Sequence, residues 1–140
     1  MGRPASRGRR YAAAVMDGTL ALGCGLATGT GYLLLHSVAD SEHGRSHPGL
    51  GASLLAGVAG FSFVNHVLLV LLCRASVGKA VAGVRVVRAA DGGRPRVHQA
   101  LGRWLGGLTW GVIVLPFAYA LGGSEAEPQD FAGLRIIHPG

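Results

Sequence analysis

One acidic side chain lies inside a long apolar segment of this sequence. Asp17 is the only charged residue between Tyr11 and Leu35. A carboxylate in a membrane-spanning segment is energetically unfavourable against lipid, so it almost always faces protein or water, where it binds a cation, shares a proton or forms an ion pair. Asp17 is therefore the first candidate for a functional residue.

Four further polar residues are predicted to lie near Asp17. Arg10 precedes it by nearly two helical turns, on the same helix face, while Asn65 and His66 lie near the end of a second apolar segment and Arg103 lies at the start of a third. Antiparallel packing of the first two segments would bring Asp17 and Asn65 to one level, about 10 Å from the membrane edge. Two interpretations remain open: a polar vestibule through which an ion, proton or small solute reaches Asp17, or a carboxylate paired with an arginine to fix helix register.

The composition favours a membrane protein over a water-soluble domain. The mean hydropathy is +0.39, and 14% of the residues are charged. Apolar residues concentrate in three blocks, 11–35, 50–72 and 101–121, and each is close to the roughly 20 residues that span a bilayer. We therefore expect a single all-α membrane domain over residues 1–140 with three transmembrane helices, the third kinked by Pro116.

The charge distribution predicts the orientation of these helices. The first ten residues hold four arginines and no acid, and the segment 73–103 holds six arginines and Lys79 against Asp91 alone. The positive-inside rule therefore places the N-terminus and the loop 73–100 in the cytoplasm. The acidic tail after Leu121 predicts an outer location, although Pro116 leaves a re-entrant path open. Because the arginines flank the apolar blocks and form no extended face, we expect no nucleic-acid partner.

The loop 73–100 has the pattern of a short strand followed by a turn. Val84 to Val87 alternate as in a strand, and Asp91 begins an Asp-Gly-Gly turn, so a short hairpin or an interfacial segment is expected here. The pair Gly78-Lys79 lacks the flanking glycine and hydroxyl residue of a phosphate-binding loop.

No pattern of residues in the chain is typical of a catalytic or metal site. His36, His43 and His47 are close in sequence, but a solvated loop explains them better than a metal site does. A nucleophile with an adjacent base is not recognisable either. We expect no metal, no cofactor and no enzymatic activity.

Four short motifs follow one another along the chain. They are Arg9 to Asp17; Ser76, Gly78 and Lys79 followed by Gly83 and Asp91; Arg103; and Asp130 with Gly133. In this order they resemble the motifs of the RDD family of small bacterial integral membrane proteins. The resemblance implies a multi-pass protein of the bacterial plasma membrane, for which transport of unknown ligands has been the general suggestion.

Two hypotheses of function follow. In the first, the protein is a transport or ion-translocation component in which Asp17 binds a cation or proton. Since three helices do not enclose a pathway alone, this hypothesis requires a homo-oligomer or a partner membrane protein. In the second, the protein is a structural or regulatory membrane subunit whose polar cluster sets helix register and whose basic loop docks lipid or a partner protein.

Overall fold

Two long apolar helices dominate the computed structural model, which describes residues 3–37, 47–109 and 131–138. Helix α1 is Arg7–Ser37. The second long helix consists of α2 (Gly49–Phe63), a π-helical turn (Val64–Leu68) and α3 (Leu69–Cys73). Both are long and apolar enough to cross a membrane, and their ends lie within four residues of the predicted blocks 11–35 and 50–72.

The two long helices pack antiparallel through small residues. Gly25 lies opposite Gly57, where an added Cβ would be 2.9 Å from the Cα of Gly25, and Gly29 lies opposite Leu54. Lipid provides no hydrophobic drive for helix association, so close backbone approach at such small residues is what favours the contact. Within the most apolar window of each helix only 11% and 22% of the residues are buried, which leaves broad apolar surfaces that suit lipid and not water.

The chain between α3 and the third apolar block is structured. Arg74 adopts a left-handed conformation (φ 59°) that ends α3, and the chain reverses into helix α4 (Val77–Val81). Strand β2 (Arg85–Arg88) and helix α5 (Val97–Thr109) follow. A helix within the loop 73–100 was not predicted.

A small sheet joins three distant parts of the chain. Strand β1 (Arg3–Pro4) and β2 both pair antiparallel with β3 (Leu134–His138), which follows a 3-10 turn at Phe131–Gly133. The expectation of an all-α domain is therefore wrong in part, because a three-stranded sheet is present. The strand predicted in the loop 73–100 forms, but it pairs with β3 near the end of the chain and not with a second strand of the loop. Local alternation predicts a strand without specifying which strand it pairs with.

The position of β3 also corrects the predicted orientation of the tail. Arg85 pairs with Ile137 and Arg88 with Leu134, so residues 134–138 lie on the same side as the loop and not on the opposite side. Acidic residues contribute little to membrane orientation, whereas Leu134 is fully buried in a core cluster with Val70 and Val86.

The path of the block 101–121 remains a prediction, and the pairing of β2 with β3 agrees better with its re-entrant alternative than with a single complete crossing. Helix α5 begins four residues before the predicted block 101–121, and the described part ends at Thr109. Pro116 and the rest of this block lie outside the described residues, as do His43 and Asp130. The number of crossings and the cytoplasmic location of the N-terminus therefore stay expectations.

Candidate functional site

The Asp17 carboxylate is buried and is surrounded by donors. Its residue is 3% exposed. Oδ1 accepts hydrogen bonds from Asn65 Nδ2 and from the backbone N–H of Gly78, both at 2.7 Å. Oδ2 accepts a hydrogen bond from Ser76 Oγ at 2.6 Å and lies 3.5 Å from Lys79 Nζ. These five residues are called the Asp17 cluster below.

The cluster holds helix α4 by its first turn. The opening N–H groups of a helix have no partner within the helix, and Ser76, at the N-cap position, forms no side-chain cap of its own helix. Instead, Val77 N–H donates to Asn65 Oδ1 at 2.8 Å, and Gly78 N–H donates to Asp17. Side chains of the two long helices therefore cap α4 and attach the loop to both of them.

Gly78 permits this close approach. A Cβ added at this position would lie 2.9 Å from both Cγ and Oδ1 of Asp17, and still closer to the carbonyl oxygen of Ala13. Any side chain would separate α4 from α1, so the absence of a Cβ is required here.

Asn65 and His66 both lie in the π-helical turn. A π turn inserts one extra residue into a helix, which changes the direction of the side chains around it, and such turns are frequent at functional sites. Asn65 is 1% exposed and contacts both Asp17 and α4. His66 lines a cavity together with Lys79.

This cavity, called the basic cavity below, has a volume of about 270 Å³. Its polar lining includes His66, Lys79 and Arg103, together with Ser62, which accepts a hydrogen bond from Trp104 Nε1 at 3.1 Å. Burial lowers the pKa of the Lys79 ammonium; the positive charge of Arg103 adds to this effect and Asp17 opposes it. Lys79 also donates to Ser76 Oγ at 3.0 Å, so one side chain connects the Asp17 cluster with the cavity.

The predicted polar residues divide into two groups. Asp17 and Asn65 are in contact, as their helical depth predicted, while His66 and Arg103 line the cavity. One of the two interpretations paired Asp17 with an arginine, whereas among the described residues the ion-pair partner of Asp17 is Lys79.

The motif residues also divide. Ser76, Gly78 and Lys79 join Asp17 directly, a contact that no spacing rule predicts across about 60 residues. Three other motif residues lie elsewhere: Gly83, Asp91 and Gly133. Gly83 (φ 67°) turns the chain before β2, Asp91 forms an exposed ion pair with Arg88 at 3.1 Å, and Gly133 (φ 68°) precedes β3. The signal that could have identified the contact is the sequence Ser-x-Gly-Lys itself, which offers a hydroxyl, an open backbone N–H and an ammonium within four residues.

Two apolar helices with exposed leucines, joined through buried polar contacts, fit a membrane protein. The model of the RDD family matches residues 4–131, and the chain belongs to that family. Comparison with curated proteins and with solved structures finds no match.

Proposed function

We propose that this protein is a structural or regulatory membrane subunit in which Asp17 attaches the loop helix α4 to the two long helices. The observation that supports this function is the complete occupation of the carboxylate. An ionised carboxylate has about four acceptor sites, and Asp17 has three hydrogen bonds and one ammonium around it, all supplied by the chain itself. Such an arrangement positions α4 and leaves no site for an external cation.

The attached loop presents basic side chains on the proposed cytoplasmic side. Arg85, Arg94 and Arg96 are exposed, and arginines at a membrane surface attract anionic headgroups or an acidic protein surface. We propose that this loop docks lipid or a partner protein, that the chain lies in the bacterial plasma membrane as a multi-pass protein, and that it catalyses no reaction.

A transport role is the second candidate, and the observation that favours it is that Lys79 lies both beside Asp17 and in the lining of the basic cavity. In that case Asp17 must exchange Lys79 for a cation or proton during each cycle, and α4 must move away from α1. The two functions therefore differ in whether the Asp17 cluster opens.

Hydrogen exchange combined with a flux assay tests the proposal. Asp17→Ala removes the acceptor of the Gly78 N–H, so exchange at Val77 to Val81 should accelerate, while cation and proton flux through proteoliposomes should equal that of the unmodified protein. Asp91→Ala is the matched control, because it removes an exposed carboxylate with an ion pair to Arg88 and should leave exchange in α4 unchanged.

Two results would contradict the positioning role. Unchanged exchange in α4 of Asp17→Ala would show that the carboxylate does not hold this helix. Flux in the unmodified protein that Asp17→Ala abolishes would favour the transport role instead.

A further inference from the structure

The basic cavity carries three nitrogen-bearing groups from three separate elements. His66 comes from the π-helical turn, Lys79 from α4 and Arg103 from α5. No acid is found among the described residues that line it. Lys79 and Arg103 give this lining positive charge, which favours an anion, since low-dielectric walls strengthen the attraction between cations and a negative ligand.

Donor capacity remains on the cavity side of Lys79 and His66. An ammonium has three donors; Lys79 uses one toward Ser76 Oγ and directs another toward Asp17 Oδ2, which leaves a third. Within the described ranges the His66 ring has no hydrogen bond, and it lines the cavity beside Lys79. Arg103 contributes a guanidinium, whose planar fork matches the oxygens of phosphate and carboxylate groups.

The rest of the lining is apolar. Val70, Val86, Trp104 and Leu108 form walls around the polar groups. Ligand sites commonly combine apolar walls with a few polar groups that orient the ligand. This lining suits an oxyanion that is attached to an apolar or neutral portion.

We propose that the basic cavity binds a phosphate group, which is supplied either by a phospholipid headgroup or by a free phosphate. Arg103, Lys79 and His66 approach from three directions, which fits the several acceptor oxygens of phosphate better than the two of a carboxylate. The bound phosphate joins α5 to α4 and to the π-helical turn. The proposal rests on the proposed function only through the placement of Lys79 by Asp17.

A cavity-filling substitution tests the site without removing a charge. Gly107 lines the cavity, and a Cβ added there meets no atom within 4 Å, so Gly107→Leu should fold and occupy the space of the ligand. Gly31→Leu is the matched control, because Gly31 is also helical with open space around its Cβ position but lies in α1 away from the cavity. Arg103→Gln is the charge variant, and losing one charge-assisted hydrogen bond should weaken binding about 10-fold or more.

The probes distinguish the two sources of phosphate. The whole chain in neutral detergent is titrated with inorganic phosphate, with dihexanoyl-phosphatidic acid and with dihexanoylglycerol, which has the same acyl chains and no phosphate, and binding is measured by calorimetry. Binding of phosphatidic acid alone supports a headgroup site, and binding of inorganic phosphate as well supports a free anion; in both cases Gly107→Leu should abolish binding that Gly31→Leu retains.

Three results overturn the phosphate site: neither anion binds, dihexanoylglycerol binds as tightly as phosphatidic acid, or Gly107→Leu binds as well as Gly31→Leu. Hydrogen exchange at α4 in Gly107→Leu distinguishes a failure of the phosphate site from a failure of the proposed attachment of α4 by Asp17. Intact protection there shows that the Asp17 cluster persists when the cavity does not bind phosphate.

Discussion

Replacing Gly78 by alanine should separate helix α4 from helix α1. The added Cβ would lie 2.9 Å from Asp17 Cγ and Oδ1 and closer still to the Ala13 carbonyl oxygen. The Ala13 oxygen is backbone of a 31-residue helix and does not rotate away, so α4 has to move. Overpacking of this kind costs about 1–3 kcal/mol. The movement also lengthens the 2.7 Å hydrogen bond from Gly78 N–H to Asp17, and a hydrogen bond to a charged group contributes about 1.5–3 kcal/mol.

Since both effects have one displacement as their cause, they do not add fully. We expect Gly78→Ala to lower the free energy of unfolding by about 2–4 kcal/mol, measured by equilibrium unfolding in mixed micelles. Gly23→Ala is the matched control, because Gly23 is in α1 and an added Cβ there meets no atom within 4 Å. The control should be neutral or gain up to about 1 kcal/mol from the better helix propensity of alanine. If the two variants differ by less than about 0.5 kcal/mol, the close approach at Gly78 has no energetic role.

Three further predictions concern the core, the ammonium and the tail. Leu134→Ala should lower the free energy of unfolding by about 2–5 kcal/mol, because Leu134 is 0% exposed. The control Leu35→Ala, at a position that is 77% exposed, should change the free energy of unfolding little. Equal effects of the two substitutions would contradict the assigned core. Burial lowers the pKa of Lys79 in the folded chain below its ordinary value of 10.5, so the unfolded chain binds this proton more tightly. The free energy of unfolding should therefore rise with pH between the folded-state pKa and the unfolded-state pKa of Lys79. Lys79→Met should remove that slope, and a slope that persists would show that another group is responsible. Single cysteines at Arg85 and Arg135 should react with a membrane-impermeant thiol reagent from the same side, since β2 and β3 are paired; labelling from opposite sides would exclude this sheet in the membrane-bound protein.

The long helices and the importance of Asp17 were predictable because both depend on local properties. Hydropathy over about 20 residues indicates a membrane helix wherever the segment packs, and α1 and the second helix end within four residues of their predicted limits. The cost of a buried charge predicts that Asp17 needs partners. The regular rise of a helix then placed Asn65 at its depth, and the 2.7 Å hydrogen bond between them shows that this estimate was close.

The identity of the other partners could not be predicted in this way. An arginine beside Asp17 was one of the two interpretations left open, whereas among the described residues Lys79 is the ion-pair partner, with Ser76 and Gly78 as further donors. The reversal at Arg74 decides this arrangement, because a left-handed residue directs α4 back against α1. Hydropathy and charge counts contain no information about the direction in which a short polar segment turns.

The sequence by itself therefore determined which segments are apolar, which side chain among them is energetically unfavourable in lipid, and to which family the chain is similar. Only the tertiary structure decided that the loop helix supplies the missing donors and that the end of the chain pairs with strand β2. The physical reason is that apolar periodicity and helical rise act over a few residues. The contacts of Asp17 and of β3 instead join positions 46 or more residues apart, and their pairing depends on the packing of the whole chain.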